Sequence, residues 1–384
     1  MKRIPPLGSL GSSLSTQIAA GQPETFVDPA NVGIVSRETK SAESRISTPQ
    51  GASAVAAALE SAGNSAGTAI STSNGEGEGK VSNTIDELDE STPLAKELAS
   101  ENKRREKLAG KSLAKPESTR VLTVSNQKGG VGKTTTTVNI AAALAGAGLN
   151  VLVVDIDPQG NASTALGVEH HAEVESIYDV LINDAPIADV VRESADIPNL
   201  LCAPATIHLA GAEIELVSLV AREQRLRRAL DLYAADREEA GEERLDYVFI
   251  DCPPSLGLLT VNAFVAAGEV LIPIQCEYYA LEGLSQLLKN IEMIQKHLNA
   301  DLVVSTILLT MYDGRTNLAA QVASEVREHF PEQVLRAVVP RSVRISEAPS
   351  YQQTVMTYDP SSSGALSYLE AATEITEQKT PSRN

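Results

Sequence analysis

A glycine-rich loop at residues 125–135 constrains the fold of this chain more than any other feature. Its residues are Ser-Asn-Gln-Lys-Gly-Gly-Val-Gly-Lys-Thr-Thr, and the apolar run Val121–Val124 precedes them. The small-residue pattern Val138–Ala145 follows and predicts a helix. Between a strand and a helix, glycines let backbone amides turn toward bound phosphates at the positive end of the helix. The stretch therefore predicts a nucleotide-binding α/β domain.

The common pattern for such a loop is G-x-x-x-x-G-K-[ST], and this chain departs from it at one position. Gln127 stands where the pattern requires its first glycine, and a second lysine, Lys128, follows it. The remaining positions fit, so we predict that Lys133 reaches the β- and γ-phosphates and that the Thr134 hydroxyl binds Mg²⁺. The predicted ATP-binding residues of the loop are Gly129, Gly130, Val131, Gly132, Lys133, Thr134 and Thr135.

The composition changes sharply near residue 118. Before that point Phe26 is the only aromatic residue, and Ser, Ala, Gly, Glu and Thr dominate. A segment of this kind buries too little apolar surface to offset its chain entropy. We therefore predict a low-complexity, largely disordered N-terminal extension over residues 1–118, with a short charged helix near residues 93–109 that Thr92 caps. The charges of this helix form either a solvated face or an arm that contacts phosphates or a partner.

Charge limits the partners of the rest of the chain. The formal net charge is -18, and the first 118 residues contain 13 basic and 15 acidic residues, which is a net charge of -2. The remainder therefore carries a net charge of -16. Such acidity opposes broad attraction to nucleic acids, so any contact with DNA needs a local basic patch.

The cysteines and the apolar runs indicate the compartment. Cys202, Cys252 and Cys276 are widely spaced and odd in number, which predicts buried thiols in a reducing compartment. No apolar run reaches the ~20 residues of a membrane-spanning helix, and no signal-peptide core follows the first residues. We expect a cytoplasmic protein without a membrane span.

From residue 119 onward, apolar runs alternate with amphipathic ones. The predicted strands are Val121–Val124, Val151–Asp155, Leu200–Ala203, Tyr247–Ile250, Val270–Pro273, Val303–Leu309 and Val334–Val338. The predicted helices are Val138–Ala145, Ile214–Leu232, Leu281–Leu298, Asn317–Phe330 and Ala365–Glu374. Continuous apolar strands are typical of a sheet covered on both faces. We predict a doubly wound, mostly parallel α/β sheet with flanking helices, of the P-loop NTPase type, over residues 119–376, and a polar tail at 377–384.

Two strand ends carry acids. Asp155 and Asp157 follow an apolar run that stops at Pro158, and Asp251 ends the run that begins at Tyr247. A carboxylate at such a position can hold an attacking water or a hydrated Mg²⁺, whereas an Asp-Pro turn is the alternative for the first pair. The carboxyl ends of parallel strands meet at one edge, so we expect these acids to lie near the glycine-rich loop.

Six segments resemble the motifs of ParA/Soj-type partition ATPases. They are Gln127–Thr134, Asp155–Asn161, Asp251–Ser255, Glu277–Gly283, Thr310–Thr316 and Pro340–Ser350. The first three resemble the deviant Walker A, A′ and Walker B segments of that family, and the resemblance covers roughly residues 119–375. It implies ATP and Mg²⁺ as cofactors, slow ATP hydrolysis stimulated by a partner, and an adenine bordered by Pro340.

The resemblance also implies roles for individual residues. Lys128 matches the family's signature lysine, which reaches the phosphates of the partner subunit in a nucleotide-sandwich homodimer. Lys133 would be the usual phosphate lysine, and Thr134 and Asp251 would be the metal residues, with Asp251 acting through water. Asp157 would place the attacking water. The predicted catalytic residues are therefore Lys128, Lys133, Asp157 and Asp251.

Arg315, Arg341 and Arg344 are the predicted DNA contacts. They are cations in turn or loop contexts, and family members use basic residues in this part of the chain to bind DNA nonspecifically once dimeric. The alternative for each is an internal ion pair with Asp313 or Glu347.

The function implied by the resemblance is chromosome or plasmid partition. An ATP-bound dimer would associate with the nucleoid, and hydrolysis stimulated by a ParB-like centromere-binding protein would release it. The alternatives are a MinD-like ATPase, a relative that positions a cargo other than DNA, and a nonhydrolysing scaffold. The polar end Thr376–Asn384 lacks an apolar face and so disfavours membrane attachment, and the intact Asp157 and Asp251 disfavour a scaffold.

Overall fold

The computed structural model of this protein describes residues 93–378, with side chains from residue 98 onward. All of these residues belong to one compact unit. The predictions for residues 1–92 and for the polar end beyond residue 378 lie outside the described residues.

The described strands form a single eight-stranded sheet. They are β1 Arg120–Val124, β2 Val151–Asp155, β3 Arg192–Glu193, β4 Leu200–Ala203, β5 Tyr247–Asp251, β6 Glu269–Gln275, β7 Val303–Tyr312 and β8 Val334–Pro340. Their order is β3-β4-β2-β5-β1-β6-β7-β8. Neighbouring strands are parallel except β3 and β4, which are antiparallel. The predicted mostly parallel sheet is confirmed, and the two-residue β3 was not predicted.

Helices connect the strands. The longer ones are α1 Pro93–Leu108, α2 Lys133–Gly146, α4 Ile177–Asn183, α6 Leu209–Leu216, α7 Arg225–Glu239, α8 Leu258–Ala266, α9 Ala280–His297, α10 Asn317–His329 and α13 Ser363–Glu377. The shorter ones are α3 Asn161–Ala165, α5 Ile187–Val190, α11 Val343–Glu347 and α12 Val355–Tyr358, with a 3₁₀ turn at Ala348–Tyr351. None of the helices within residues 93–378 combines the length and the apolarity needed to cross a bilayer.

Apolar side chains of the sheet are buried on both faces. Val153 lies in a core with Ile140 of α2 and Ala371 of α13, whereas the next residue, Val154, lies in a second core with Leu226 of α7. Successive strand residues point to opposite faces, so an uninterrupted apolar strand serves both cores. The prediction of a doubly wound domain is confirmed.

One predicted helix is wrong. The stretch Ile214–Leu232 is not continuous, because α6 ends at Leu216 and α7 begins at Arg225. Between them Ala221 adopts a left-handed backbone with φ 51°, which no helix interior accommodates. The Asn262 side-chain amide holds the break by donating to the Arg222 carbonyl at 2.8 Å.

Helix α8 was not predicted, and its burial explains why. Seven of its nine residues are buried, and they are Leu259, Thr260, Asn262, Ala263, Phe264, Val265 and Ala266. A helix with a nearly uniform apolar surface shows no 3.6-residue pattern in its sequence. The three cysteines are free and buried, as expected.

Candidate functional site

The carboxyl ends of three adjacent strands meet at one edge of the sheet. Strand β5 lies between β1 and β2, and all three run parallel. Asp155 and Asp251, the last residues of β2 and β5, stand directly opposite each other in register. The glycine-rich loop leaves β1 at the same edge. The sheet therefore delivers the loop and the acids to one place.

The loop owes its shape to two glycines and one tertiary hydrogen bond. Gly130 and Gly132 have φ values of 73° and 88°, in the left-handed region that favours glycine. Gly132 directly precedes α2, so the loop turns into the N-terminus of that helix. The Thr310 hydroxyl, from β7, donates to the Val131 carbonyl at 2.8 Å and fixes the loop against the sheet. This arrangement presents a helix N-terminus to an anion.

Asp251 is fully buried beneath the loop. The hydroxyls of Thr134 and Thr137 donate to its two carboxylate oxygens at 2.7 and 3.0 Å. Burial, and to a smaller extent the charge of Asp155, raises the pKa of Asp251 to about 8, and the hydrogen bonds from the two threonines oppose the rise. Thr137 was not predicted, although it lies one helical turn after Thr134.

Asp155 is held differently from its neighbour Asp157. One Asp155 oxygen accepts the amide and the hydroxyl of Ser163 at 2.9 and 2.8 Å, and the other accepts the Asp157 amide at 3.1 Å. Burial raises the pKa of Asp155, and these hydrogen bonds oppose the rise. The Asp157 carboxylate accepts only the Gln159 amide among the described residues, at 3.0 Å. Hydrogen bonds within the fold therefore use both carboxylate oxygens of Asp155, whereas Asp157 can still accept hydrogen bonds from a ligand.

Lys133 is the buried cation of this edge. Burial lowers the pKa of its ammonium group, while the charges of Asp251 and Asp157 oppose the change. The edge thus gathers one lysine, a helix N-terminus, a threonine hydroxyl and carboxylates. Hydroxyl and carboxylate oxygens are the ligands that Mg²⁺ prefers, and a lysine beside a helix N-terminus suits phosphate. The donor set fits a magnesium nucleotide.

Lys128 lies at the surface of the same loop. Its ammonium group forms an ion pair with Glu277 at 2.6 Å, and more than a third of each side chain is exposed. The Gln275 amide at the end of β6 donates to the other oxygen of Glu277. The backbone is fixed as well, because the Asn126 side chain accepts from the Lys128 amide at 3.0 Å. Glu277 lies in a segment that the sequence singled out, yet its contact with Lys128 could not be read from spacing.

The three arginines have different surroundings. Arg315 forms a two-pronged ion pair with Asp313 at 2.8 Å for both oxygens, although 90% of its side chain is exposed. The hydrogen bonds from Arg315 lower the pKa of Asp313 to about 2. Arg344 lies 3.4 Å from both Glu347 and Asp359. Exposed pairs of this kind are weak and readily exchanged for a phosphate.

Arg341 and Pro340 lie at the end of β8. Arg341 is exposed. Pro340 lines a groove of about 530 Å³ beside α1 and α13. A separate cavity of about 240 Å³ adjoins Thr134 and Thr135 and is lined by Pro349 among others. The structure therefore brings Pro349, rather than Pro340, beside the two loop threonines.

Comparisons with known proteins agree with this architecture. The family model described as an AAA domain matches residues 119–304. The chain is 53% identical over 256 residues to the sporulation initiation inhibitor protein Soj of Bacillus subtilis (strain 168), which covers 67% of this chain and 98% of that protein. It is 50% identical over 262 residues to the chromosome partitioning protein ParA of Myxococcus xanthus (strain DK1622), which covers 68% of this chain and 89% of that protein.

Solved structures share the fold. A cobyrinic acid a,c-diamide synthase from Mycobacterium smegmatis with bound ADP and magnesium is 38% identical, with a TM-score of 0.56 over 66% of this chain and 92% of that one. The septum site-determining protein MinD from Pyrococcus horikoshii OT3, complexed with Mg-ADP, is 26% identical, with a TM-score of 0.53 over 67% of this chain and 96% of that one. Both structures contain a magnesium nucleotide.

Proposed function

The chain belongs to the ParA/Soj-type family of P-loop ATPases, and we propose that it is an ATP-dependent DNA-partition switch. ATP and Mg²⁺ bind at the glycine-rich loop, and the ATP-bound chain forms a homodimer that binds DNA without sequence preference. Hydrolysis stimulated by a ParB-like partner releases the dimer. The observation that carries this proposal is the second loop lysine, Lys128, which stands exposed at the site with only a surface ion pair to Glu277.

The residues at the sheet edge have separate roles in ATP hydrolysis. Lys133 contacts the phosphates, and the Thr134 hydroxyl and the Asp251 carboxylate hold Mg²⁺, Asp251 through water. When bound, Mg²⁺ neutralises charge that develops on the phosphate oxygens. Asp157 orients the attacking water, since the fold leaves most of its hydrogen-bonding capacity unused.

A second cation aimed at the phosphates from the opposite subunit links dimerisation to the nucleotide. Lys128 of each subunit exchanges Glu277 for a phosphate of its partner's nucleotide, which carries more negative charge than a carboxylate. In its electrostatic role this lysine resembles an arginine finger. A triphosphate offers this lysine more negative charge than a diphosphate, so dimerisation depends on which nucleotide is bound.

Dimerisation also strengthens the contact with DNA. Arg315, Arg341 and Arg344 provide few phosphate contacts in a single subunit, and the domain around them is acidic. A dimer doubles the contacts and makes the second set effectively intramolecular. Binding of this kind depends on ATP and weakens steeply with salt.

Retention of nonspecific DNA on filters with ATP, with ADP and without nucleotide tests the proposal. We expect retention with ATP alone, and Lys128→Ala should bind ATP but fail to retain DNA or to hydrolyse ATP. Equal retention in all three nucleotide states would overturn the DNA switch, and a lack of retention in every state would favour a relative that positions another cargo. Sedimentation with lipid vesicles then separates a MinD-like activity, in which the chain pellets with the lipid.

A further inference from the structure

We propose that helix α1 extends the DNA-binding surface, with Lys103 and Lys107 contacting phosphates beside Arg341 and Arg344. The helix precedes the region that the family model matches, which begins at residue 119. The inference rests on the proposed function, because it assigns further contacts to the same DNA.

Helix α1 is fastened to the domain by some of its cations. The Arg104 guanidinium donates to both carboxylate oxygens of Glu370 in α13, at 2.9 and 2.6 Å. Arg105 donates to the backbone carbonyls of residues 360–362. Just beyond the helix, Lys111 pairs with Glu377 at 2.8 Å, and Leu113 packs against the core. The helix is therefore part of the folded domain.

Two lysines of α1 make no such contact with the domain. Lys103 and Lys107 are exposed, and within residues 98–378 neither forms an ion pair. They are four residues apart, so they lie on one face of the helix. The charge of Arg105 is also free of a carboxylate partner in that range, since its contacts are carbonyls. Glu101 and Glu106 of the same helix are close in sequence to these cations and offset their charges in part.

Acids in the neighbouring groove do not cancel the exposed lysines. The groove of about 530 Å³ between α1 and β8 contains three glutamates. Each glutamate already has a cation, because Arg104 pairs with Glu370, Arg336 with Glu374, and Lys111 with Glu377. The two lysines therefore add positive potential to this face of an otherwise acidic domain.

The position of α1 joins these lysines to the arginines at the end of β8. Lys107 lines the same groove as Pro340, and Arg341 is the next residue. On the other side, Arg105 holds the segment that follows Asp359, and Asp359 in turn contacts Arg344 at 3.4 Å. Because the helix is already docked, phosphate binding costs the freedom of the lysine side chains but not that of the backbone. A DNA backbone that reaches Arg341 and Arg344 therefore has α1 alongside it.

The test measures the affinity of the full chain for nonspecific duplex DNA, with ATP, at several salt concentrations by fluorescence anisotropy. Lys103→Gln/Lys107→Gln should weaken binding about tenfold and make the slope of log K against log salt shallower by roughly 0.9 for each phosphate that the variant no longer neutralises. ATP-dependent dimerisation and ATPase activity without DNA should stay unchanged. Lys289→Gln/Lys296→Gln is the matched control, because both are exposed lysines of α9, on the opposite face of the sheet.

The outcomes separate this inference from the proposed function. A wild-type chain that does not bind DNA with ATP overturns both. A wild-type chain that binds, together with an α1 variant that matches the α9 control in affinity and slope, overturns the inference alone. A selective loss in the α1 variant, with dimerisation intact, supports it.

Discussion

The two edges of the sheet treat buried charge in opposite ways. At the amino ends of the strands, Arg120 donates to both oxygens of Glu269 at 2.8 and 2.7 Å and to the Ile375 carbonyl at 2.6 Å. At the carboxyl ends, Asp155 and Asp251 face each other, both fully buried, with hydroxyl and amide donors but no ion pair among the described residues. One edge neutralises its charges in a direct ion pair, whereas at the other edge two facing carboxylates have only the nearby Lys133 ammonium group as a partial countercharge.

The fold is complete at the amino ends of the strands, whereas at the carboxyl ends it depends on a ligand. A buried ion pair in which each charge already has its partner needs no ligand for its neutralisation. Two facing buried carboxyl groups that share one lysine cost stability in the absence of a further cation, and sites of this kind are typical of function. The proposed magnesium nucleotide would supply the missing positive charge and the hydrogen-bond acceptors for the loop.

Loss of the buried ion pair between Arg120 and Glu269 should destabilise the protein strongly. Arg120→Met should lower the free energy of unfolding by about 3–5 kcal/mol, because it leaves Glu269 buried without a partner. The measurement is urea unfolding without nucleotide. Arg120→Met/Glu269→Leu should recover most of the loss, since no charge then stays buried. A double variant as unstable as the single one would show that Arg120 acts by packing on Tyr247, over which it lies at 5.5 Å.

At the nucleotide edge, removal of a buried ionisable group should stabilise the fold rather than destabilise it. The fold raises the pKa of Asp251 to about 8, so at neutral pH this acid ionises more readily in the unfolded chain and thereby favours unfolding. Asp251→Asn removes that ionisation and should raise the free energy of unfolding in EDTA by about 1 kcal/mol. The same change should lower ATP turnover with Mg²⁺ by about 10²-fold, because the amide binds the metal poorly. Asp157→Asn is the matched control and should change stability less, since the charge of Asp157 contributes least to the raised pKa values of Asp155 and Asp251. Destabilisation by Asp251→Asn would show instead that the Asp251 carboxyl group and its threonine hydrogen bonds stabilise the fold without a ligand.

The sequence predicted the parts of the fold that depend on local pattern. Continuous apolar runs identified the strands from Val121 to Val338, because a doubly covered sheet needs no alternation. The break between α6 and α7 depends on the left-handed Ala221 and on Asn262 from another helix, and neither leaves a local signal. Helix α8 stayed hidden because burial on most sides removes the periodicity.

In the candidate site, too, local patterns were predictable and tertiary contacts were not. The glycine-rich loop and the strand-end acids are set by spacing along the chain, so Lys133 and Asp251 could be placed in advance. Contacts between distant segments could not, which is why Ser163 as the partner of Asp155 and Glu277 as the partner of Lys128 required the fold. Residues that select which acid is free for a ligand are therefore the ones that sequence reasoning missed.

The exposed ion pair between Lys128 and Glu277 should have only a small influence on dimerisation. Under the proposed function, Glu277 competes with the partner's phosphate for Lys128, so Glu277→Gln should lower the ATP concentration needed for half-maximal dimerisation. Exposed pairs contribute up to about 1 kcal/mol, which sets the shift at no more than roughly fivefold. Sedimentation velocity across an ATP series measures it, with Glu282→Gln as the control, because Glu282 is an exposed acid in the first turn of the adjoining helix α9. An unchanged midpoint for Glu277→Gln, in a chain that does dimerise with ATP, would mean that Lys128 leaves its carboxylate at no cost.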